Sequence, residues 1–298
     1  MTIRRSPHDP KAIAEFPLMA ELAQEGMTDY VALPLSGPGY RNAMTIATKR
    51  VGGFPKAELE TLYGLLGLFA LHVQRHSEMR IASNTLTAYL GSGAAEKVLG
   101  GKIKRGAGES IRAVIWVSDL RGFTDMSDRI SGSEMLTLLN AYFEAMADAV
   151  IAHGGEVLKF IGDGVLAVFP TANEDQAKAA AEAALSAAHQ AIAQLSRLNS
   201  ETPTSSRQFT DGSRCGWESR SMKGRSFSEN VGSAGRIDFT VIGPAVNEAF
   251  RVEALQKSLG REILITDAAA QHLKGKMDML GEHRLRGVTS PIAIYSPI

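Results

Sequence analysis

The chain has 298 residues, a length that corresponds to about two domains of ordinary size. Its hydrophobic content of 44% predicts a folded core, and its 32 basic residues are balanced by 32 acidic ones, so the overall charge gives no bulk attraction to nucleic acid. The single cysteine, Cys215, excludes an internal disulfide framework and a multi-cysteine metal site. The longest apolar stretch, Leu62 to Val73, is too short and too interrupted to span a bilayer. No signal-peptide pattern is recognisable, so we expect a cytoplasmic protein without a membrane span.

Residues 1–80 predict a small unit of mixed type. Helical spacing of apolar residues covers Met19 to Glu25 and Ala57 to about Met79, whereas Asp29 to Leu35 and Ala43 to Thr48 are typical of strands. Residues 81–108 contain a further short helix and the glycine- and lysine-rich run GGKIKRGAG, so they are predicted to form a helical linker.

Residues 109–298 predict a second, larger domain. It opens with the buried strand AVIWV, and a helix follows from about Ser133, its expected N-cap, to Ala152. Two strands then flank a Gly-Asp-Gly turn at residues 162–164, a pattern that predicts a hairpin.

The rest of this domain alternates helices with short strands. An alanine-rich helix is predicted from about Glu174 to Leu198, and another starts at Pro244 and ends near Leu259. Short strands are predicted at residues 239–242, 262–265 and 292–295. The whole is an α+β fold, in which helices pack on a sheet that contains antiparallel strands.

Two aspartates lie at the ends of predicted strands in this domain. Asp119 comes directly after the AVIWV strand, and Asp163 is at the tip of the next hairpin. If those strands pair, both carboxylates meet at one edge of the sheet and offer the hard oxygen ligands that Mg²⁺ requires beside substrate phosphates. The structural alternative is that Asp119 caps the following turn and Asp163 is an ordinary turn residue.

Four other polar residues have both a structural and a functional interpretation. Lys159 lies on the otherwise apolar strand VLKFI, where it faces solvent or hydrogen-bonds a purine. Thr240 is a β-branched strand former. Asn247 and Arg251 are four residues apart and share a helix face, which is either simply solvated or holds a sugar oxygen and a phosphate.

Three sequence blocks combine these residues: SDLRGFT (118–124), KFIGDGVLAVF (159–169) and DFTVIGPAVNEAFRVE (238–253). Together they resemble the class III adenylate and guanylate cyclase catalytic domain over roughly residues 110–298. The resemblance implies a ferredoxin-like domain that converts ATP into 3′,5′-cyclic AMP and pyrophosphate by attack of the ribose 3′-hydroxyl on the α-phosphate. It also implies two Mg²⁺ or Mn²⁺ ions and a head-to-tail homodimer, with active sites at the subunit interface.

Matched position by position, the resemblance assigns Asp119 and Asp163 to the metal ions. Lys159 and Thr240 match the pair that reads the base. In this family Lys with Asp or Thr favours adenine, whereas Glu with Cys favours guanine.

The remaining matches are the residues around the phosphates. The resemblance assigns Asn247 to the ribose, Arg251 to the α-phosphate charge and Arg286 to the terminal phosphates. The metal aspartates would come from one subunit, and the base-reading and transition-state residues from the other. Catalysis would then consist mainly of positioning and charge stabilisation.

The N-terminal unit carries a second likeness. TDYVALPL (28–35) and ATKRVGGF (47–54) resemble the tail of a GAF-like sensor domain, as found in some bacterial cyclases. Residues 1–80 are therefore interpreted as a partial sensor-type unit, and the alternative is a dimerising helical appendage.

Residues 199–230 break the family pattern. The segment is rich in serine and arginine and has almost no apolar periodicity, so it predicts a long disordered loop where the family has a strand, a turn and a strand. Such a loop would remove two interior strands and leave the domain poorly folded or inactive.

We hypothesise that a compensated frameshift produced this segment. Synonymous codons for residues 217–230 can be chosen so that reading from the last base of the Gly216 codon gives LGIALHEGEVLFG, and one skipped base then restores the frame at Asn230. This peptide is close to the family's GIALHxGEVxYGN hairpin. The alternative is a polar insertion specific to this lineage, and resequencing of the gene distinguishes the two.

Three other functions remain open. A catalytically impaired cyclase-like domain acting as a regulatory or binding module is favoured by the broken segment and opposed by the otherwise complete site residues. A guanylate cyclase is opposed by Lys159 and Thr240. A diguanylate cyclase would need a Gly-Gly-Asp/Glu-Glu-Phe run, and the hairpin here reads GDGVL.

Overall fold

The computed structural model describes residues 2–37, 40–104, 109–201, 214–219, 226–233 and 235–298. It divides into two compact units, Met1–Thr85 and Leu86–Ile298. Residues 105–108 of the predicted linker lie outside the described residues, as do 202–213 and 220–225 of the segment that breaks the family pattern.

The first unit combines a small sheet with helices. Its elements are β1 (Ile3–Arg5), α1 (Pro10–Glu15), α2 (Leu18–Gln24), β2 (Asp29–Gly37), β3 (Tyr40–Thr48) and the start of α3 (Lys56–Leu90). The three strands form an antiparallel sheet in the order β1-β2-β3. Leu59 of α3 packs against Val31 and Leu33 of β2, so one face of the helix covers the sheet. The predicted strands are present, and the likeness to a GAF domain stays a prediction.

Helix α3 continues to Leu90, about three turns beyond its predicted end near Met79. The sequence from Arg80 to Leu90 contains neither glycine nor proline, so nothing in it stops a helix. Gly91, with φ +82°, ends the helix where a residue without a side chain is available.

The second unit contains the remaining elements. They are α4 (Ser92–Leu99), β4 (Glu109–Asp119), α5 (Phe123–Ser127), α6 (Gly132–Ala152), β5 (Glu156–Ile161), β6 (Gly164–Thr171), α7 (Glu174–Glu201), β7 (Arg214–Ser219), β8 (Ser226–Gly232), β9 (Ile237–Ile242), α8 (Pro244–Leu259), β10 (Ile263–Thr266), α9 (Asp267–Ala270), β11 (Met277–His283) and β12 (Ile292–Pro297). The predicted α+β fold is confirmed. The short helices α5 and α9 and the strand β11 were not predicted.

The strands of this unit form one mixed sheet in the order β11-β12-β10-β7-β4-β6-β5, and β8 connects β4 to β9 at the side. Every described pairing is antiparallel except that of β10 with β7. The central strands β4 and β6 are buried on both faces, which explains their continuous apolar runs.

Helices cover both faces of the central strands. On one face, Val114 and Trp116 of β4 pack with side chains of α6 and α7. On the other face, Ile115 and Val117 pack against α8. Side chains that alternate along a strand point to opposite faces, so β4 belongs to two cores at once.

Ser131, rather than the predicted Ser133, is the N-cap of α6. The Ser131 hydroxyl accepts a hydrogen bond from the Glu134 N–H at 3.3 Å, and the Glu134 carboxylate accepts one from the Ser131 N–H at 2.9 Å. This reciprocal arrangement is a capping box, and the Ser-x-x-Glu spacing that specifies it was overlooked.

Helix α6 is also the one helix among the described residues that is long and apolar enough to cross a membrane. Its residues Leu138, Tyr142 and Met146 are buried in the core below the sheet. Length and composition alone do not distinguish a membrane-spanning helix from a buried core helix, so the absence of a membrane span stays a prediction.

The prediction of a continuous disordered loop at residues 199–230 is wrong for the described part of that segment. Residues 199–201 end α7, and β7 and β8 occupy two places in the sheet. Backbone hydrogen bonds of the sheet do not depend on side-chain polarity, so a polar sequence can still be paired between β4 and β10. The frameshift stays a hypothesis, because strand pairing does not test it.

A buried hydrogen bond next to the end of β4 offers a test of this packing. The Tyr142 hydroxyl of α6 donates to Ser118 Oγ at 2.9 Å, and both residues are fully buried. We expect Tyr142→Phe to lower the free energy of unfolding by about 1–2 kcal/mol, because it leaves the Ser118 hydroxyl without this partner.

Urea unfolding of Tyr142→Phe, Ser118→Ala and the double variant measures the coupling between the two groups. The double variant should lose less stability than the sum of the two single changes, since each single change already removes the hydrogen bond between the two groups. Strictly additive losses would contradict the hydrogen bond.

Candidate active site

Two carboxylates meet at one end of the central strands. Asp119 is the last residue of β4, and Asp163 lies in the turn between β5 and β6. β4 pairs antiparallel with β6, with Ser118 opposite Val165, so the end of one strand lies beside the start of the other. The side chains of Asp119 and Asp163 are close enough for each carboxylate to influence the other. The structure thus brings together the two carboxylates that were predicted to share metal ions.

Glycines allow the turn to approach β4 this closely. Gly162 has φ +64°, in the left-handed region that favours glycine. A Cβ atom on Gly164 would lie 3.1 Å from the Ser118 carbonyl oxygen and 3.6 Å from Asp119 Oδ1. The Gly-Asp-Gly sequence therefore serves two purposes, which are to form the turn and to leave room for the neighbouring carboxylate.

The electrostatics of this pair are unfavourable for two negative charges. Burial raises the pKa of Asp119, and repulsion from Asp163, the hydrogen bond with Asp163 and repulsion from Glu253 raise it further, to about 7. Burial and the Asp163 charge also raise the pKa of Glu253. Among the described residues, no three His, Cys, Asp or Glu side chains are grouped closely enough to hold a metal ion by themselves. Two carboxylates are a suitable donor set for Mg²⁺ when substrate phosphates and water complete its coordination, so Asp119 and Asp163 fit a divalent ion that is shared with a phosphate.

Glu253 was not among the predicted site residues. It lies on α8, at the end of the third family-like block, and its charge acts on both Asp119 and Asp163. Helical spacing alone gave no sign that this position turns toward the hairpin of β5 and β6.

Lys159 of β5 belongs to a second group of polar residues, which lies between β5 and β9. Its ammonium group donates a hydrogen bond to the carboxylate of Asp238, and its side chain is 22% exposed. Both residues line a cleft of about 900 Å³, together with Phe239. Thr240 is two residues beyond Asp238 on β9, so the two lie on the same side of that strand. Asp238 is a further polar residue of this cleft, and it was not predicted from the sequence.

Asn247 and Arg251 of α8 form the third group, and they line a cleft of about 710 Å³. The loop before β12 closes its other side, where a Cβ atom on Gly287 would lie 3.3 Å from Arg251 Nη2. Gly287 also has φ +74°, so a side chain there would be strained as well as crowded. Arg286 is exposed on the same loop. The predicted face shared by Asn247 and Arg251 is therefore directed into a cleft.

The predicted site residues thus fall into three groups within one chain. These groups are the carboxylate pair Asp119 and Asp163, the Lys159 side of β5 and β9, and the cleft at Asn247 and Arg251. Whether two subunits combine these groups in one active site stays a prediction.

Residues 109–295 match the adenylate and guanylate cyclase catalytic domain. The chain belongs to this family. Class III cyclases are generally metal-dependent enzymes that bind a nucleoside triphosphate, and the carboxylate pair described above lies within the matched region.

Similar proteins include cyclases from bacteria. The chain is 35% identical over 171 residues to an adenylate cyclase of Anabaena cylindrica, which covers 57% of this chain and 32% of that protein. It is 36% identical over 207 residues to an uncharacterized protein of Mycobacterium tuberculosis, which covers 65% of this chain and 32% of that protein. The chain therefore spans about a third of the length of these relatives.

Solved structures show the same fold. A bacterial light-regulated adenylyl cyclase superposes with a TM-score of 0.55 at 27% identity, covering 63% of this chain and 91% of that one. The adenylyl cyclase CyaB of P. aeruginosa superposes with a TM-score of 0.56 at 27% identity, covering 64% of this chain and 95% of that one.

The raised pKa of Asp119 predicts that the metal-free protein loses stability as pH rises. Between the unfolded pKa near 4 and the folded value of about 7, the folded state binds more protons than the unfolded state. The free energy of unfolding should therefore decrease from pH 4.5 to pH 8 in the presence of a chelator. The raised pKa of Glu253 has the same sign.

Urea unfolding at a series of pH values tests this expectation. Asp119→Asn should reduce the decrease, and excess Mg²⁺ should restore stability above pH 7 in the original protein but not in the variant. A stability that rises with pH over this range, in the chelator, would contradict the clustering of the carboxylates.

The Lys159–Asp238 ion pair predicts a separate effect on substrate binding. Asp238→Asn should raise KM for the nucleotide by about tenfold with a smaller change in kcat, because Lys159 loses the group that orients its ammonium. The pair is partly exposed, with Asp238 56% accessible, so stability should change by less than about 1 kcal/mol.

The matched control is Asp278→Asn, which breaks the exposed Arg261–Asp278 ion pair elsewhere in the same unit. Steady-state kinetics and thermal unfolding of both variants provide the comparison. An equal change in KM for the two variants would show that Lys159 does not depend on Asp238.

Proposed function

We propose that this chain is the catalytic part of an adenylate cyclase, which converts ATP into 3′,5′-cyclic AMP and pyrophosphate. The observation that carries the proposal is the meeting of the Asp119 and Asp163 carboxylates at the end of β4. The family match over residues 109–295 and the likeness to proteins named adenylate cyclase support it.

Asp119 and Asp163 would hold two Mg²⁺ or Mn²⁺ ions. When bound, such ions supply positive charge that lowers the pKa of the ribose 3′-hydroxyl and offsets the charge of the leaving pyrophosphate. The two carboxylates already favour a shared positive charge, since their own repulsion contributes to the raised pKa of Asp119. Glu253 adds negative charge to the same place and would strengthen the attraction.

Lys159 and Thr240 would read the base. An ammonium donates to the ring nitrogen N1 of adenine, and a threonine hydroxyl is able to accept a hydrogen bond from the exocyclic amino group. Asp238 keeps the ammonium beside β9, where Thr240 also lies, which supports a common base pocket.

Asn247, Arg251 and Arg286 would act on the sugar and the phosphates. A guanidinium binds phosphate oxygens with two parallel hydrogen bonds, so Arg251 is suited to the charge that develops on the α-phosphate. Asn247, one helical turn away in the same cleft, would orient the ribose. Arg286, exposed on the loop at that cleft, would contact the terminal phosphates.

A complete site would need two copies of the chain. The carboxylate pair, the base-reading residues and the transition-state residues lie in three places of one chain, and a head-to-tail homodimer would combine them at its interface. The balanced charge opposes a nucleic acid partner, and we propose a cytoplasmic location, where ATP is available.

The alternative with specific support is a cyclase-like domain with impaired catalysis. Residues 199–230 lack the family's apolar hairpin, and β7 lies in the middle of the sheet, so packing around the site would be weakened. A guanylate cyclase is the second alternative, because the family contains both activities.

The decisive experiment compares the chain as it is with a variant in which residues 217–229 are replaced by LGIALHEGEVLFG. Both are assayed with ATP and with GTP in the presence of Mg²⁺ or Mn²⁺. We expect cyclic AMP as the main product and a higher rate for the variant with the restored hairpin. Arg251→Ala in that variant should lower kcat by about 100- to 1,000-fold, because a charge opposite the α-phosphate is lost.

Arg261→Ala serves as the control, since it removes another arginine that lies partly exposed in the same unit. A folded, hairpin-restored protein that makes neither cyclic nucleotide would favour the impaired domain. Preference for GTP would refute the roles given to Lys159 and Thr240.

A further inference from the structure

The first unit carries a pair of imidazoles that the cyclase site does not use. His72 and His76 lie one turn apart on α3, and both are exposed. Their Nε2 atoms are 3.1 Å apart, and their ring centroids are 4.6 Å apart. The two Nε2 atoms therefore lie next to each other on the exposed surface of the helix.

This geometry matches that of two ligands of one metal ion. Zinc–nitrogen bonds of about 2.0–2.1 Å place two ligand nitrogens about 3.3 Å apart in a tetrahedral site and about 2.9 Å apart at a right angle. The observed Nε2 separation of 3.1 Å lies between these values, so a cation would need little rearrangement of either side chain. Two histidines four residues apart on a helix also occur together as zinc ligands in proteins.

In the metal-free protein, a single hydrogen bond explains the same contact. One neutral imidazole donates its Nε2–H to the Nε2 lone pair of the other. For a metal ion to bind both Nε2 atoms, the donor ring would carry its proton on Nδ1 instead of Nε2, so that each neutral imidazole offers an Nε2 lone pair to the ion.

The neighbours of the two rings form an apolar stripe. Leu65, Phe69 and Met79 continue the series of His72 and His76 at alternating spacings of four and three residues, and they are 43%, 44% and 59% exposed. An apolar border excludes water from the side of a metal site and strengthens binding. The same alternation is the pattern of a helix face that can meet a second helix.

We propose that His72 and His76 bind a first-row transition metal ion of the Zn²⁺, Ni²⁺ or Cu²⁺ type through their Nε2 atoms. Imidazole prefers these ions to Mg²⁺ and Mn²⁺, so the site differs in its chemistry from the carboxylate pair of the second unit. Water completes the coordination in a single chain, and a second copy that meets the stripe would add two further imidazoles.

Calorimetric titration of the metal-free full chain with zinc chloride, in a buffer that does not bind zinc, tests this site. His72→Ala and His76→Ala should each weaken the binding by about 10- to 100-fold, since one ligand of two is removed. His8→Ala, which changes another exposed histidine of the same unit, should leave it unchanged. Circular dichroism checks that the helix is retained.

The stoichiometry of zinc binding and sedimentation velocity show whether water or a second copy of the chain completes the coordination. One ion per chain without association, or one ion per two chains with zinc-dependent dimers, supports the proposal when His72→Ala and His76→Ala weaken that binding, because the carboxylate pair of the second unit is unchanged in both variants. Zinc binding that is absent, or equal in the original protein and in both variants, overturns it. The assay does not use ATP, so its outcome is independent of the cyclase activity.

Discussion

The repulsion between two carboxylates at the end of β4 is the constraint on which the second unit depends. Asp119 and Asp163 are held together only because β4 and β6 are paired in a fixed register and because glycines on either side of Asp163 permit the approach. The fold accepts an unfavourable local charge, as is common at sites where a cation or a substrate later compensates it. The helices that pack on β4 and β6 keep the two strands in place.

The packing of both sheet faces provides that support. β4 is covered by α6 and α7 on one side and by α8 on the other, so its end has little freedom to move. α8 also carries Asn247, Arg251 and Glu253, and the loop at Gly287 restricts Arg251. A helix that closes the core therefore also fixes the polar groups at its surface, and the stability of the fold and the geometry of the site are linked.

The sequence predicted those features that follow from local pattern. The apolar run AVIWV, the Gly-Asp-Gly turn and the shared face of Asn247 and Arg251 all correspond to what the structure contains. Glu253 and Asp238 were missed because their importance comes from partners that are 90 and 79 residues away in sequence, Asp163 and Lys159. Strands β7 and β8 were missed for a similar reason, since their backbone pairing is specified by the neighbouring strands rather than by their own polar sequence.

The position of β7 has a consequence for how the sheet opens. β7 pairs with β4 on one side and with β10 on the other, so within the sheet it is the hydrogen-bonded connection between the central strands and the group β10, β12 and β11. If Arg214–Ser219 separates from its neighbours, those three C-terminal strands are free to exchange their amide hydrogens as one cooperative unit, while β4 and β6 stay protected. Six residues of unusual composition would then determine whether this domain unfolds in one step or in two.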